Sequence, residues 1–168
     1  MKIGICGGTF DPMHIGHEAL VRSALDSRLV DQIIVIPSGT PPHKRQELVS
    51  MARYRYEMVS RTFADEPRIQ VSDVEILRPG PSYTLDTARQ LKEQNPADDF
   101  CLIYGSDVLK DIERWHQPVA LLASWPLLLA DRGGIAGGLS RQYAADLQSR
   151  FGARISFFDA PSIELSGT

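Results

Sequence analysis

The feature that most constrains this chain stands at its start. Residues 1–6 form a short apolar run of the kind that makes a buried strand, and residues 18–25 carry apolar side chains at helical spacing. Between them lies Gly7-Gly8-Thr9-Phe10-Asp11-Pro12-Met13-His14-Ile15-Gly16-His17. A strand therefore runs into a glycine turn, and a helix leaves it. Glycines let backbone N–H groups approach a ligand closely, and the helix N-terminus adds a fixed positive dipole end. Together they favour a bound phosphate. His14 and His17 are three residues apart, so on a first helical turn both imidazoles share one face beside that phosphate.

The same alternation continues down the chain. Residues 31–37 are β-branched and end at Pro37, as a second buried strand would. Residues 68–72, 99–104, 126–130 and 154–158 read as four more strands. Helices are expected over 14–27, 48–64, 118–123 and 139–151, and over 85–94 with Thr84 as N-cap and Asn95-Pro96 as stop. Gly105-Ser106-Asp107 opens a further helical stretch. Residues 38–47 read as a polar loop, Pro79-Gly80-Pro81 sits in another, and Gly133-Gly134 with Gly137-Gly138 mark a flexible surface loop. Strands buried on both faces and alternating with helices predict an α/β fold, a doubly wound, Rossmann-like parallel sheet. One domain over residues 1–168 is expected, since no linker, repeat or low-complexity segment divides the chain. Right-handed crossovers place functional loops at the carboxyl ends of the strands, where the polar clusters after the first four strands all fall.

Composition narrows the partners. The chain has 168 residues, 43% hydrophobic and 23% charged, which is ordinary for a soluble globular protein. A net charge of −3 supplies no basic field for nucleic acid, although His43-Lys44-Arg45 suits a small polyanion. Cys6 and Cys101 lie in apolar strands without CxxC spacing, so they read as reduced core residues in a cytoplasmic protein. The first strand begins at once, leaving no room for a signal peptide. The longest apolar run, residues 118–130, is interrupted by Ser124 and Pro126 and is too short to span a bilayer. Trp125 reads as core, and Arg53 and Arg55 as a solvated helix face. Trp115, in the polar stretch Glu113-Arg114-Trp115-His116, reads as a partly open ring able to stack on a flat ligand.

The opening stretch lacks G-x-G-x-x-G and has no Gly-Lys-Ser/Thr after Gly7, so it is neither a dinucleotide fingerprint nor a Walker A loop. Residues 14–17 spell His-Ile-Gly-His instead. This resembles the nucleotidyltransferases of the HIGH superfamily and, within them, bacterial nicotinate-nucleotide adenylyltransferases. Pro41-Pro42-His43-Lys44 resembles that family's loop after the second strand, where the lysine meets phosphate. Ser82-Tyr83-Thr84-Leu85-Asp86-Thr87 resembles its helix start beside the pyridine ring. Gly105-Ser106-Asp107 with Trp115-His116 resembles its ribose turn and its ring-stacking tryptophan.

The resemblance implies transfer of AMP from ATP to nicotinate mononucleotide, giving deamido-NAD and pyrophosphate in NAD biosynthesis. It assigns Gly7, Gly8, Thr9, Phe10, His14, His17, Ser166 and Thr168 to ATP and its phosphates, with His14, His17 and Lys44 as the catalytic set. Lys44, Tyr83, Thr84, Gly105, Asp107 and Trp115 would hold the mononucleotide. His43 stays open between a ligand and a solvated loop residue. Mg2+ would come with ATP, held by the phosphates and not by protein ligands. The partners implied are these small molecules, with no nucleic acid and no membrane. The family's last motif, Ile-Ser-Ser-Thr followed by an arginine on a helix, is matched only by Leu165-Ser166-Gly167-Thr168. The expectation is therefore weakened ATP binding or little activity in the 168-residue form. The alternatives are a pantetheine-phosphate adenylyltransferase and a non-catalytic nucleotide-binding module.

Overall fold

Strand and helix alternate along the chain in the computed structural model, which describes residues 1–11, 13–39, 51–131 and 133–161, with the backbone alone at 134–136. The elements are β1 (Lys2–Gly8), α1 (Ile15–Asp26), β2 (Gln32–Pro37), α2 (Ala52–Thr62), β3 (Ile69–Val71), α3 (Val74–Leu77), α4 (Thr84–Gln94), β4 (Asp99–Gly105), α5 (Pro118–Ser124), β5 (Leu127–Asp131), α6 (Gly134–Phe151) and β6 (Ile155–Asp159). Two 3₁₀ turns, Ser106–Lys110 and Ile112–Arg114, follow β4.

The six strands pair in the order β3-β2-β1-β4-β5-β6, every neighbouring pair parallel. The expected doubly wound sheet is thus present. Its strand order reverses between β1 and β4, and a parallel sheet opens a ligand crevice at the carboxyl ends of the strands beside that point. Successive strand residues feed opposite faces. Leu102 packs with Leu85, Leu91, Leu121 and Leu147 on the side of α4, α5 and α6. Ile103 packs with Val21, Leu25, Val59 and Phe63 on the side of α1 and α2. Period-two burial on both faces is why these strands read as nearly continuous apolar runs.

Strand boundaries fall within about one residue of expectation, the usual scatter of element ends. Trp125 is buried as expected. Cys6 and Cys101 are free cysteines, one buried and one half-buried. Burial pushes their thiols up to about 12 and about 11, so both stay protonated at neutral pH. Among the described residues, no helix is long and apolar enough to cross a membrane.

Four expectations need correction. The glycine stretch at 133–138 is not a surface loop, because α6 already begins at Gly134. Asp131, at the end of β5, accepts the Gly133 N–H at 2.9 Å and pairs with Arg141 at 2.7 Å. This pins the helix start, and packing of Ala144 and Leu147 offsets the ~1 kcal/mol that each helical glycine costs. Thr84 is not an N-cap: Tyr83 holds that position without a side-chain cap, and the Thr84 hydroxyl lies 3.3 Å from that of Tyr104. A short helix, α3, occupies residues read as part of a loop. Arg55, read as solvated with Arg53, is only 1% exposed, whereas Arg53 does lie in solvent.

Candidate active site

The crevice begins where β1 ends. The Phe10 ring lies directly over Gly8, where a Cβ would stand 3.0 Å from Phe10 Cζ, so a side chain there would displace the ring. Phe10 has φ 51, the left-handed region that costs an aromatic residue roughly 1–2 kcal/mol. The turn therefore holds a buried ring in a strained backbone. That ring meets the His17 imidazole edge-on, with centroids 5.2 Å apart and an interplanar angle of 87°.

The two histidines start α1. His14 is the N-cap, and its Nδ1 accepts the N–H groups of Gly16 (3.1 Å) and His17 (3.4 Å). His17 Nδ1 in turn accepts the His14 N–H at 3.3 Å. This is a capping box made from two imidazoles. A nitrogen that accepts from the backbone carries no proton, so the network assigns the proton of each neutral ring to Nε2. Both imidazoles are thereby set as Nε2–H donors. Their rings stack with centroids 3.7 Å apart and planes 19° apart, and His14 Nε2 is buried with no partner among the described residues. A buried donor left unpaired is costly unless a ligand accepts from it.

Beside this turn lies a pocket of about 230 Å³. Gly7, Gly8 and Thr9 form one wall, and Ser82, Tyr83, Thr84 and Leu85 at the start of α4 form another. Tyr104, Trp115, His116, Leu121, Ser38 and Glu75 complete the lining. Aromatic geometry organises the opening. Tyr83 and His116 stack with centroids 4.0 Å apart, and Trp115 meets Tyr104 edge-on at 5.2 Å. Trp115 is half-buried, its ring packed against the core at one side. Burial pushes the Tyr104 hydroxyl above its ordinary range, so it stays neutral.

Glu75 is the unexpected member. It is 6% exposed and accepts a 2.6 Å bond from Thr87 Oγ1, which accepts in turn from Arg78 at 2.8 Å. Burial raises the Glu75 pKa, while the Thr87 hydroxyl and the Arg78 charge oppose the rise. Ser38 Oγ, also buried in this pocket, has no partner among the described residues.

The fold thus gathers Gly7, Gly8, Thr9, Phe10, His14 and His17 at one end of the crevice, with Tyr83, Thr84 and Trp115 around the adjoining pocket. Gly105 ends β4 and Asp107 is exposed in the following 3₁₀ turn, outside the pocket lining. His43, Lys44, Ser166 and Thr168 lie outside the described residues. Sequence reasoning overlooked Ser38, Glu75 and Tyr104, read Arg55 as solvated, and gave His116 no role beyond its place beside Trp115. A signal existed for Glu75, a lone carboxylate in Val74-Glu75-Ile76-Leu77, and for Arg55, which shares a helix face with apolar Val59 four residues on.

A family model described as cytidylyltransferase-like matches residues 5–157. A Carboxydothermus hydrogenoformans protein is 35% identical over 99% of this chain and 83% of its own length. A Synechococcus protein is 38% identical over 99% and 80%, and both bear the name "probable nicotinate-nucleotide adenylyltransferase". The fold matches that of the Plasmodium falciparum nicotinic acid mononucleotide adenylyltransferase complexed with NaAD, with a TM-score of 0.76 at 20% identity over 97% of this chain and 77% of that one. With a glycine turn, a paired-histidine helix start and near full-length identity above a third, this chain belongs to the nicotinate-nucleotide adenylyltransferase family.

Proposed function

We propose that this chain transfers the adenylyl group of ATP to nicotinate mononucleotide, forming deamido-NAD and releasing pyrophosphate. The observation that carries this reading is a shared wall: Gly7, Gly8 and Thr9 belong both to the phosphate turn and to the aromatic pocket. A mononucleotide whose ring lies by Trp115 and Tyr83 would bring its 5′-phosphate to the turn that receives ATP. Pocket and turn together fit two nucleotides that meet at their phosphates.

The chemistry asks little of an acid or base, because the attacking phosphate is already ionised at neutral pH. The barrier lies in aligning two polyanions and stabilising charge on the equatorial and leaving oxygens. Positioning of this kind supplies ~7–11 kcal/mol in favourable cases. The Nε2–H groups of His14 and His17, held by the capping box, are preorganised donors toward that charge. Lys44 would add a positive charge to these two neutral donors at the reacting phosphate, and Ser166 and Thr168 would contact ATP. Gly105 and Asp107 would take the mononucleotide ribose. Nucleotidyltransferases of this kind generally use a divalent metal. Here ATP would enter as its Mg2+ complex, the ion neutralising phosphate charge. The phosphate oxygens would hold that ion, since Mg2+ with a nucleotide substrate keeps several waters and takes few protein ligands.

Preference for the acid over the amide rests on α4. Its first-turn N–H groups receive no side-chain cap and open beside the pocket at Thr84 and Leu85, where a carboxylate is favoured. Phosphopantetheine, which has no ring, would leave the aromatic walls unused. Both proposed substrates are small soluble nucleotides, which suits a cytoplasmic enzyme. Pyrophosphate release should be measured with ATP and each of nicotinate mononucleotide, nicotinamide mononucleotide and phosphopantetheine. The expected result is turnover with the first well above the second, and none with the third. ATP binding without turnover on any acceptor would instead favour a nucleotide-binding module.

A further inference from the structure

Arg55 is the largest fully buried side chain among the described residues. Enclosing a guanidinium is costly unless its donors are met, and burial lowers its pKa here against the opposing charge of Asp11. Two of its bonds reach across the site. Nη1 donates to the Thr9 carbonyl at 2.9 Å, and Nη2 donates to the Gly39 carbonyl at 3.4 Å.

Both carbonyls stand at sensitive places. The Thr9 carbonyl belongs to the peptide that leads into Phe10, whose φ of 51 is the strained element of the phosphate turn. Rotating that peptide toward an ordinary φ would swing the carbonyl away from Arg55. It would also lift the Phe10 ring from Gly8 and from the edge of His17. Gly39 is held just as closely. Its N–H donates to Ser82 Oγ at 3.2 Å, and a Cβ there would collide with the Glu75 carbonyl. Ser82 and Glu75 line the aromatic pocket. One side chain on α2 therefore ties the strained phosphate turn to the rim of the neighbouring pocket.

We propose that Arg55 is a positioning residue for the transfer, holding the Thr9–Phe10 turn so that Phe10 keeps its edge contact with the His17 imidazole. Only the kinetic half of this proposal rests on the function proposed above. Retaining the charge alone would not suffice, because a lysine ammonium cannot match the planar fork that reaches two carbonyls on separate segments.

The test compares wild type with Arg55→Met and Arg55→Lys by two readouts. NMR of the free protein follows the cross-peaks between the Phe10 and His17 rings and the His17 ring shifts. Steady-state kinetics follow kcat and the mononucleotide KM. Arg55→Met should lose the cross-peaks and drop kcat by roughly 10²-fold, the scale of an ångström's misplacement, with KM held. Arg55→Lys, which keeps the buried charge, should fold and lie between the two; it carries the test if the methionine variant does not fold. Wild-type kcat with shifted His17 signals, or lost kcat with intact cross-peaks, would overturn the proposal in either folded variant. If wild type turns over no acceptor, the functional reading fails, and the cross-peaks alone decide whether Arg55 holds the turn.

Discussion

At the phosphate turn, the hydrogen bonds of the capping box run between residues 14 and 17, whereas the aromatic pocket draws its walls from segments spread between Gly7 and Leu121. The first is a local device, a capping box that forms wherever a helix starts at His14. The second exists only once α3, α4, β4 and α5 have packed. Chemistry on phosphate thus rests on short-range geometry, and acceptor recognition rests on tertiary packing. Arg55 is the exception that joins them, a distant side chain acting on the local turn.

That contrast can be broken most severely at His17. His17→Ala removes an Nε2–H donor and the acceptor for the His14 N–H. The kcat should fall by roughly 10²–10³-fold, the scale of losing one preorganised donor. Stability should fall by only about 1 kcal/mol, as for other lost caps. Kinetics and thermal melting check both parts, and near-normal kcat would remove His17 from the phosphate end.

Glu75→Gln probes the packed side. The folded pKa of Glu75 is raised above its ordinary 4.5, so the native state binds the proton more tightly than the unfolded chain. Its contribution is fully present below pH 4.5 and is lost as pH rises through the folded value, by about 1.4 kcal/mol per unit of separation. Urea unfolding across pH should show that decline in wild type and a flatter profile in Glu75→Gln. The same slope in both would mean that Glu75 is not the group responsible. The smallest effect belongs to Arg53→Ala, two residues from Arg55 but in solvent. Its stability should stay within about 0.5 kcal/mol of wild type, with kcat unchanged; a larger loss would show that exposure does not separate the two arginines.

How far the sequence reads correctly follows the same division. Strand positions, the parallel sheet and the His14–His17 face were legible because each depends on residues a few positions apart. Thr84 misled because its neighbour Tyr83 ends the extended segment one residue earlier and Tyr104 draws the hydroxyl away. The helix through Gly137-Gly138 was hidden because its anchor, Asp131, lies in the preceding strand and its packing partners lie further on. Arg55 looked solvated beside Arg53 and Tyr54, since its partners on the buried face, the carbonyls of Thr9 (some 46 positions away) and Gly39, lie on other segments. Glu75 was passed over because its partner Thr87 sits on another helix.

The division of labour itself is tested most directly by calorimetric titration of Trp115→Ala with nicotinate mononucleotide and, separately, with Mg2+–ATP. Loss of a stacking platform is worth about 1–3 kcal/mol per base, so affinity for the mononucleotide should fall roughly tenfold or more. Affinity for ATP should stay at the wild-type value. Weakened ATP binding with undiminished mononucleotide binding would place Trp115 at the adenine and contradict the account.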